Sequence, residues 1–99
     1  MKLTEEFKER LESEGYMHLR EVEGRGICGL MKFIFTVGLV YGIDQIGYKG
    51  RWCYPNEKAA DAVYAFGIWD GKSDPMGCWI KHKGHIEYSN PNKKKKQNN

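Results

Sequence analysis

The chain has 99 residues, of which 40% are apolar, 13% aromatic and 29% charged. A chain of this length forms one small domain without room for a separate catalytic domain, and its composition is globular rather than disordered. The formal net charge is +3, but the four lysines at positions 93–96 exceed that excess, and the other residues sum to −1. This excludes a chain that is basic throughout and leaves a local basic cluster, which consists of Arg25, Lys32, Lys49, Arg51 and Lys58.

Cysteine usage and hydropathy indicate the compartment. Cys28, Cys53 and Cys78 are an odd number of cysteines without a C-x-x-C pair, which predicts reduced thiols in a cytoplasmic protein. The N-terminus is charged from its second residue, and the longest apolar stretch, 33–43, is much shorter than the roughly 20 residues of a spanning helix. We therefore expect no secretory leader and no membrane association.

The first two elements are predicted from a capping signal and an alternating pattern. Thr4 can cap a helix that ends at Gly15, with Phe7 and Leu11 on its apolar face. Residues 16–22 then alternate between apolar and polar, which predicts a strand with one buried face.

Glycines interrupt the pattern between residues 24 and 29. Their spacing matches neither a dinucleotide fingerprint nor a P-loop, so we interpret this segment as a glycine-bent turn or a bulge. The period-two pattern of residues 30–41 predicts one long central strand. Its even face is only mildly polar, which suggests partial cover or a partner there. The residues predicted for the buried odd face are Met31, Phe33, Phe35, Val37, Leu39 and Tyr41.

The remaining elements follow in quick succession. Residues 48–54 predict a third strand closed by Pro55, and Asn56 is a suitable N-cap for a helix that runs to about Trp69. After a turn at 73–77, residues 78–83 predict a fourth strand, and 85–88 can add a short return strand. The residues predicted to share the apolar face of the second helix are Ala59, Ala62, Val63, Phe66 and Trp69.

Together these elements predict an α+β fold in one small domain over residues 1–89. We expect an antiparallel sheet of three to five strands with two helices packed mainly on one face, in the order α-β-β-β-α-β, with room for a last short strand. The tail 90–99 is rich in Asn and Lys and is predicted to be disordered. The large side chains expected to supply much of the core are Trp52, Trp69, Trp79, Phe33, Phe35 and Phe66.

The tightest cluster of potential metal ligands consists of Cys78, His82 and His85. Positions 78 and 82 share one face of a strand, and His85 can return across a turn. Three such donors suit zinc, but no fourth ligand is apparent and the spacing does not match a closed structural site. A half-buried cysteine with surface histidines is the simpler interpretation, and we expect no metal or other cofactor.

Candidate catalytic groups are equally incomplete. The residues of that cluster, or Cys53 with His18, offer a thiol and a base, but the sequence places no third orienting group beside them. No pair of carboxylates stands out as a general acid and base. We therefore expect no enzymatic activity.

The aromatic and basic strands are more suggestive of binding. In the strand 78–83, Trp79 shares a face with Lys81 and Lys83. An open sheet face of this kind resembles the stacking platforms that hold single-stranded nucleic acid. The simpler alternative is that Trp79 packs at an edge and the lysines form a solvated rim.

Two family resemblances bear on this interpretation. The order helix, three strands, helix resembles the double-stranded RNA binding domain, but that family begins its second helix with a basic cluster, where this chain has one lysine beside Glu57. A second resemblance covers about residues 24–84 and carries over no catalytic motif; it implies a bacterial cytoplasm and an accessory or host-interaction role. The segments that resemble small proteins encoded by bacteriophages and prophages are Gly24–Leu30, Gly50–Tyr54, Trp69–Gly71, Asp74–Pro75 and Trp79–Lys81.

We therefore expect a non-enzymatic protein that binds a host protein, with nucleic acid as the alternative partner and Cys/His metal binding as a second alternative. A protein partner predicts an aromatic anchor and mild salt sensitivity, whereas nucleic acid predicts a steep fall of affinity with salt. Monomer and homodimer both stay open. The residues expected to contact the partner, beside the even face of 30–40, are Lys32, Arg51, Trp79, Lys81 and Lys83.

Overall fold

The structure, a computed structural model, describes residues 1–78 and the backbone of residues 80–83. Two helices and five strands are present in this part of the chain, and the strands form one antiparallel sheet in the order β1-β2-β3-β4-β5. The predicted α+β class is therefore confirmed, with one strand more before the second helix than the predicted order contains. The elements are α1 Glu5–Ser13, β1 Tyr16–Val22, β2 Gly26–Lys32, β3 Thr36–Ile43, β4 Gly50–Pro55, a 3₁₀ turn Asn56–Lys58, α2 Ala59–Ile68 and β5 Ile80–Lys83.

Helix α1 begins and ends where its sequence signals place it. The Thr4 side chain accepts a hydrogen bond from the Phe7 amide at 3.1 Å, which satisfies one of the donors that the first turn leaves open. The chain leaves the helix at Gly15, whose φ of 107° lies in the region that glycine adopts without a steric penalty. The strand predicted over 16–22 then follows as β1.

The long central strand predicted over 30–41 is wrong, because the chain reverses in the middle of it. The Phe33 amide donates to the Thr36 carbonyl at 2.8 Å, and Lys32 on β2 pairs with Val37 on β3. The glycine segment before this hairpin contains both a turn, at residues 23–25, and a register shift between Ile27 and Gly29. The predicted strand is therefore the end of β2, a tight turn and most of β3.

The two helices lie on opposite faces of the sheet, not mainly on one face as predicted. Consecutive strand residues point to opposite faces, so the side chains of Leu39 and Val40 lie on opposite sides of the sheet. Leu39 packs with Trp52 and the buried side of α2, whereas Val40 packs with Leu11 of α1. Each face of the middle strands is thus covered by one helix.

Helix α2 differs from its prediction at its start and in its rotation. Asn56 lies in the 3₁₀ turn instead of capping α2, and the actual N-cap, Lys58, makes no side-chain capping bond. Val63 is 43% exposed, because the side of the helix that faces the sheet is the one formed by Ala62, Ala65, Phe66 and the following Trp69.

Part of the predictions falls outside the described residues. This applies to Trp79, to the return strand over 85–88 and to the tail 90–99. Within the described part, no helix is long and apolar enough to cross a membrane.

Candidate protein-binding surface

The even face predicted as a partner surface over 30–40 does not exist as one surface. The turn between β2 and β3 places Leu30 on the α2 side and Val40 on the α1 side of the sheet, and both side chains are buried. A partner can reach neither of them in the folded protein.

The structure does not bring Lys32 and Arg51 together. Lys32 pairs with Val37, whose side chain lies on the face of the sheet that α2 covers. Arg51 pairs with Val40, whose side chain lies on the opposite face, which α1 covers. Lys32 is exposed at the end of β2. Arg51 is half-buried, because its Nη1 donates to the Tyr48 hydroxyl at 2.6 Å and its guanidinium carbon lies 4.2 Å from the centre of the Phe33 ring.

The other predicted contact residues lie at the end of the described part of the chain or outside it. The backbone of β5 places Lys81 opposite Trp52 and Lys83 opposite Gly50, which confirms a strand over these positions. Trp79 and the side chains of Lys81 and Lys83 lie outside the described residues.

The predicted metal cluster also lies partly outside the described residues. Cys78 is half-buried, but the side chain of His82 and the whole of His85 lie outside the description. In the part that the structure describes, no three His, Cys, Asp or Glu side chains are grouped closely enough to hold a metal ion.

The cysteines considered as nucleophiles lie in the interior. Cys28 and Cys53 are buried, and His18 is exposed in the irregular part of β1, where its φ is 55°. Burial raises the pKa of the Cys28 thiol to about 11, so almost none of it is thiolate at neutral pH. The Cys28 thiol is therefore not in a state to attack a substrate, and burial also shields Cys53 from one.

Thiol labelling tests this arrangement. At pH 8 we expect a soluble thiol reagent to modify Cys78 readily and Cys28 and Cys53 only slowly, because labelling needs both access and the thiolate. All three cysteines should react in denaturant. Fast modification of Cys28 in the folded protein, located by peptide mass spectrometry, would contradict the buried position.

The basic cluster predicted from the sequence is partly internal. The Arg25 guanidinium carbon lies 4.8 Å from the ring centre of Tyr41, 5.2 Å from that of Trp52 and 5.6 Å from that of Trp69, and its Nε donates to the Gly71 carbonyl at 2.8 Å. With Arg51 also held inside, this cluster offers a partner three exposed lysines, which are Lys32, Lys49 and Lys58.

The most exposed aromatic side chain in the described part lies at the tip of the β2–β3 hairpin. Ile34 and Phe35 are 82% and 81% exposed. The sequence predicted Phe35 for the core, because the apolar alternation continues unbroken through the turn. We call the segment 33–36 the hairpin tip.

The backbone of the hairpin tip is fixed from both sides. Besides the Phe33 to Thr36 bond, Asn56 Nδ2 donates to the Ile34 carbonyl at 3.1 Å. The Phe33 ring folds back over Gly38, where a Cβ would come within 2.6 Å of a ring carbon, and Arg51 stacks on it. The Ile34 and Phe35 side chains therefore project from a supported turn.

The described residues leave one side of α2 uncovered. Val63, Tyr64 and Ile68 are exposed on the side that faces away from the sheet. The helix is therefore apolar on its outer side as well as on its buried side.

Comparisons with protein-family models, with curated proteins and with solved structures found no match for this chain. The functional argument therefore rests on the residues and on their arrangement.

Proposed function

We propose that this protein is a non-enzymatic binding protein whose hairpin tip inserts into an apolar pocket of a partner protein. The observation that carries the proposal is the exposure of two adjacent large apolar side chains, Ile34 and Phe35, at a projecting turn. Single exposed apolar residues are common on protein surfaces, but an aromatic residue at the centre of an interface commonly supplies much of the binding energy.

The support beneath the tip favours binding. The hydrogen bonds from Phe33 and Asn56 hold the turn, so little backbone freedom is lost when a partner covers it. A preformed apolar projection fits a concave apolar site better than a flat one.

The border of the tip indicates the chemistry of the partner. Lys32 comes directly before the tip, and Lys58 follows Asn56 by two residues, with Glu57 between them. All three are exposed, and they give the border a net positive charge. A pocket with an acidic rim would complement this arrangement.

The resemblance to bacteriophage and prophage proteins makes a bacterial host protein the partner that we expect. Two cations of the basic cluster, Arg25 and Arg51, are stacked on aromatic rings inside the fold. They contribute less to a phosphate-binding surface than their number in the sequence suggests, so a protein is favoured over nucleic acid.

The experiment compares two exposed apolar residues at opposite ends of β3. Phe35→Ser removes the proposed anchor, and Ile46→Ser is the matched control, because Ile46 is 92% exposed in the turn that follows β3. Tagged wild-type protein first captures partners from nuclease-treated bacterial lysate, and calorimetry then gives the dissociation constant of each variant for the captured protein.

Phe35→Ser should weaken binding by at least about 30-fold, which corresponds to the roughly 2 kcal/mol of a hot spot. Ile46→Ser should bind like wild type, and both variants should unfold within about 0.5 kcal/mol of wild type, as exposed substitutions do. Equal affinity of both variants would overturn the role of the tip. Binding that disappears with nuclease and falls steeply with salt would replace the protein partner with nucleic acid.

A further inference from the structure

The side chain of Phe33, the first residue of the hairpin tip, is half-buried, whereas the next two side chains project. Its ring lies against Gly38 of β3, where a Cβ would come within 2.6 Å of a ring carbon. Gly38 pairs with Met31 on β2 and with Cys53 on β4 without a register shift at this point, so it does not mark a bulge. A glycine inside a strand otherwise marks the close approach of another group. Here that group is the Phe33 ring, which occupies the space of a side chain at position 38.

Arg51 of β4 contacts both members of this pair. Its guanidinium carbon lies 4.2 Å from the centre of the Phe33 ring, and its Cδ would lie 3.4 Å from a Cβ at Gly38. The direction of the guanidinium is set from its other side, because Nη1 donates to the Tyr48 hydroxyl at 2.6 Å. Arg51 therefore connects the first residue of the hairpin tip to β3, to β4 and to the segment before β4.

The hairpin tip needs support of this kind. Residues 33–36 contain none of the residue types that favour a turn, so the conformation depends on contacts with the rest of the fold. The bond from Asn56 to the Ile34 carbonyl is exposed to water, and a hydrogen bond makes only a modest net contribution to stability. A partly desolvated cation–π contact contributes more than an exposed one, so the stack on Phe33 is the stronger support.

We infer that Arg51 is a positioning residue of the hairpin tip, which holds the Phe33 ring on Gly38 and does not touch the partner. The held ring keeps Ile34 and Phe35 in their projecting conformation. This inference rests on the proposed function, because a positioned tip serves binding only if the tip is the part that binds. The sequence predicts Arg51 as a direct partner contact instead. A contact at the rim of an interface changes the salt dependence of affinity, whereas a positioning residue changes the order of the tip in the protein alone.

Nitrogen-15 relaxation of the protein alone measures the order of the tip backbone. In wild type the amides of residues 33–36 should have order parameters of about 0.85, the value of rigid backbone. Arg51→Met removes the guanidinium and should lower them to below about 0.6, the value of flexible backbone. Gly38→Ala keeps the guanidinium but displaces the ring, so it should lower them as well. Lys72→Met is the matched control, because it removes an exposed cation from the segment after α2 and should leave the tip unchanged.

Two further observations separate positioning from a general loss of structure. Arg51→Lys keeps the positive charge without the planar group, so it should restore part of the order that Arg51→Met loses. The chemical shifts of the Gly38 α-protons report on the adjacent Phe33 ring and should move towards random-coil values in Arg51→Met. Circular dichroism must show that each variant keeps the secondary structure of wild type.

Calorimetry at two salt concentrations extends the test to the protein captured in the preceding experiment. Arg51→Met should weaken its binding about tenfold, the approximate cost of ordering two mobile side chains, and should keep the salt dependence of wild type. Lys32→Met at the border of the tip should reduce the salt dependence, because this cation faces the acidic rim proposed for the partner.

Unchanged order parameters of residues 33–36 in Arg51→Met would overturn the inference, whatever the partner is. A reduced salt dependence in Arg51→Met would also overturn it, because Arg51 would then be a direct contact. Failure of the proposed function gives a different result. Phe35→Ser would then bind like wild type, while the order of the tip would still depend on Arg51.

Discussion

Trp52→Ala should destabilise the fold by about 3–5 kcal/mol, the range for deleting a fully buried aromatic side chain. Trp52 is 0% exposed on β4, and its ring centre lies 5.0 Å from that of Tyr41 and 5.2 Å from that of Trp69. It therefore joins two strands to the end of α2. A domain of this size has a total stability of about 5–15 kcal/mol, so this loss is a large fraction of the total.

Urea unfolding at 25 °C gives the free energy directly, and a thermal scan should show a midpoint lowered by more than about 12 °C. Trp52→Phe keeps a ring in the site and should lose less, which leaves a measurable variant if Trp52→Ala does not fold. A loss below about 1 kcal/mol for Trp52→Ala would mean that the ring does not lie between the sheet and α2.

The elements that were predicted correctly from the sequence are those whose ends are marked by residues with a strong local backbone preference. Thr4 caps α1 and Gly15 follows its end. Residues 16–22 form β1 within the predicted bounds, although a register shift between Met17 and Arg20 breaks the alternation and leaves Met17 exposed. Pro55 is the last residue of β4. In each case a residue type with a strong backbone preference stands at the boundary, so the boundary is readable without tertiary information.

The hairpin tip lacked any such signal. Residues 33–36 contain no Gly, Pro, Asn or Asp, the residues that mark most turns, and the apolar alternation continues across them. Besides the local bond from Phe33 to Thr36, the turn is held by a non-local contact, because Asn56 lies 22 residues away from Ile34. A turn that exposes Ile34 and Phe35 therefore has the same apolar pattern as a buried strand.

Of the partner surface named from the sequence, the even face over 30–40 with Lys32 depended on that long strand. The sequence does not show which cations of the basic cluster are exposed in the fold and which pack against other side chains. Arg25 lies against aromatic rings from β3 and from the segment after α2, and Arg51 lies against a ring of the hairpin tip. Side-chain stacking of this kind cannot be inferred from composition. It is the reason that part of the predicted basic cluster packs against the core.

The C-terminal end of α2 is stabilised by residues from outside the helix. Its N-cap makes no side-chain bond, and its last turn has no basic residue to complement the dipole. Arg20 supplies that charge from β1, since its Nη2 donates to the Phe66 carbonyl at 2.6 Å and to the Trp69 carbonyl at 3.1 Å. Arg25 adds the bond to Gly71 from the turn before β2.

Arg25→Met should therefore destabilise the protein by about 2–4 kcal/mol, the sum expected for one charged hydrogen bond and a partly desolvated cation–π contact. Arg25→Lys keeps the charge but lacks the planar guanidinium, so it should lose less. Lys32→Met removes an exposed cation as the control and should stay within about 0.5 kcal/mol of wild type.

Hydrogen exchange distinguishes a local effect from a global one. In Arg25→Met the amides of α2 should exchange faster relative to those of β2 and β3 than they do in wild type, because the cation that ties the segment after the helix to the sheet is gone. Unchanged stability and an unchanged exchange pattern would mean that Arg25 fills space between Tyr41, Trp52 and Trp69 without holding α2 in place.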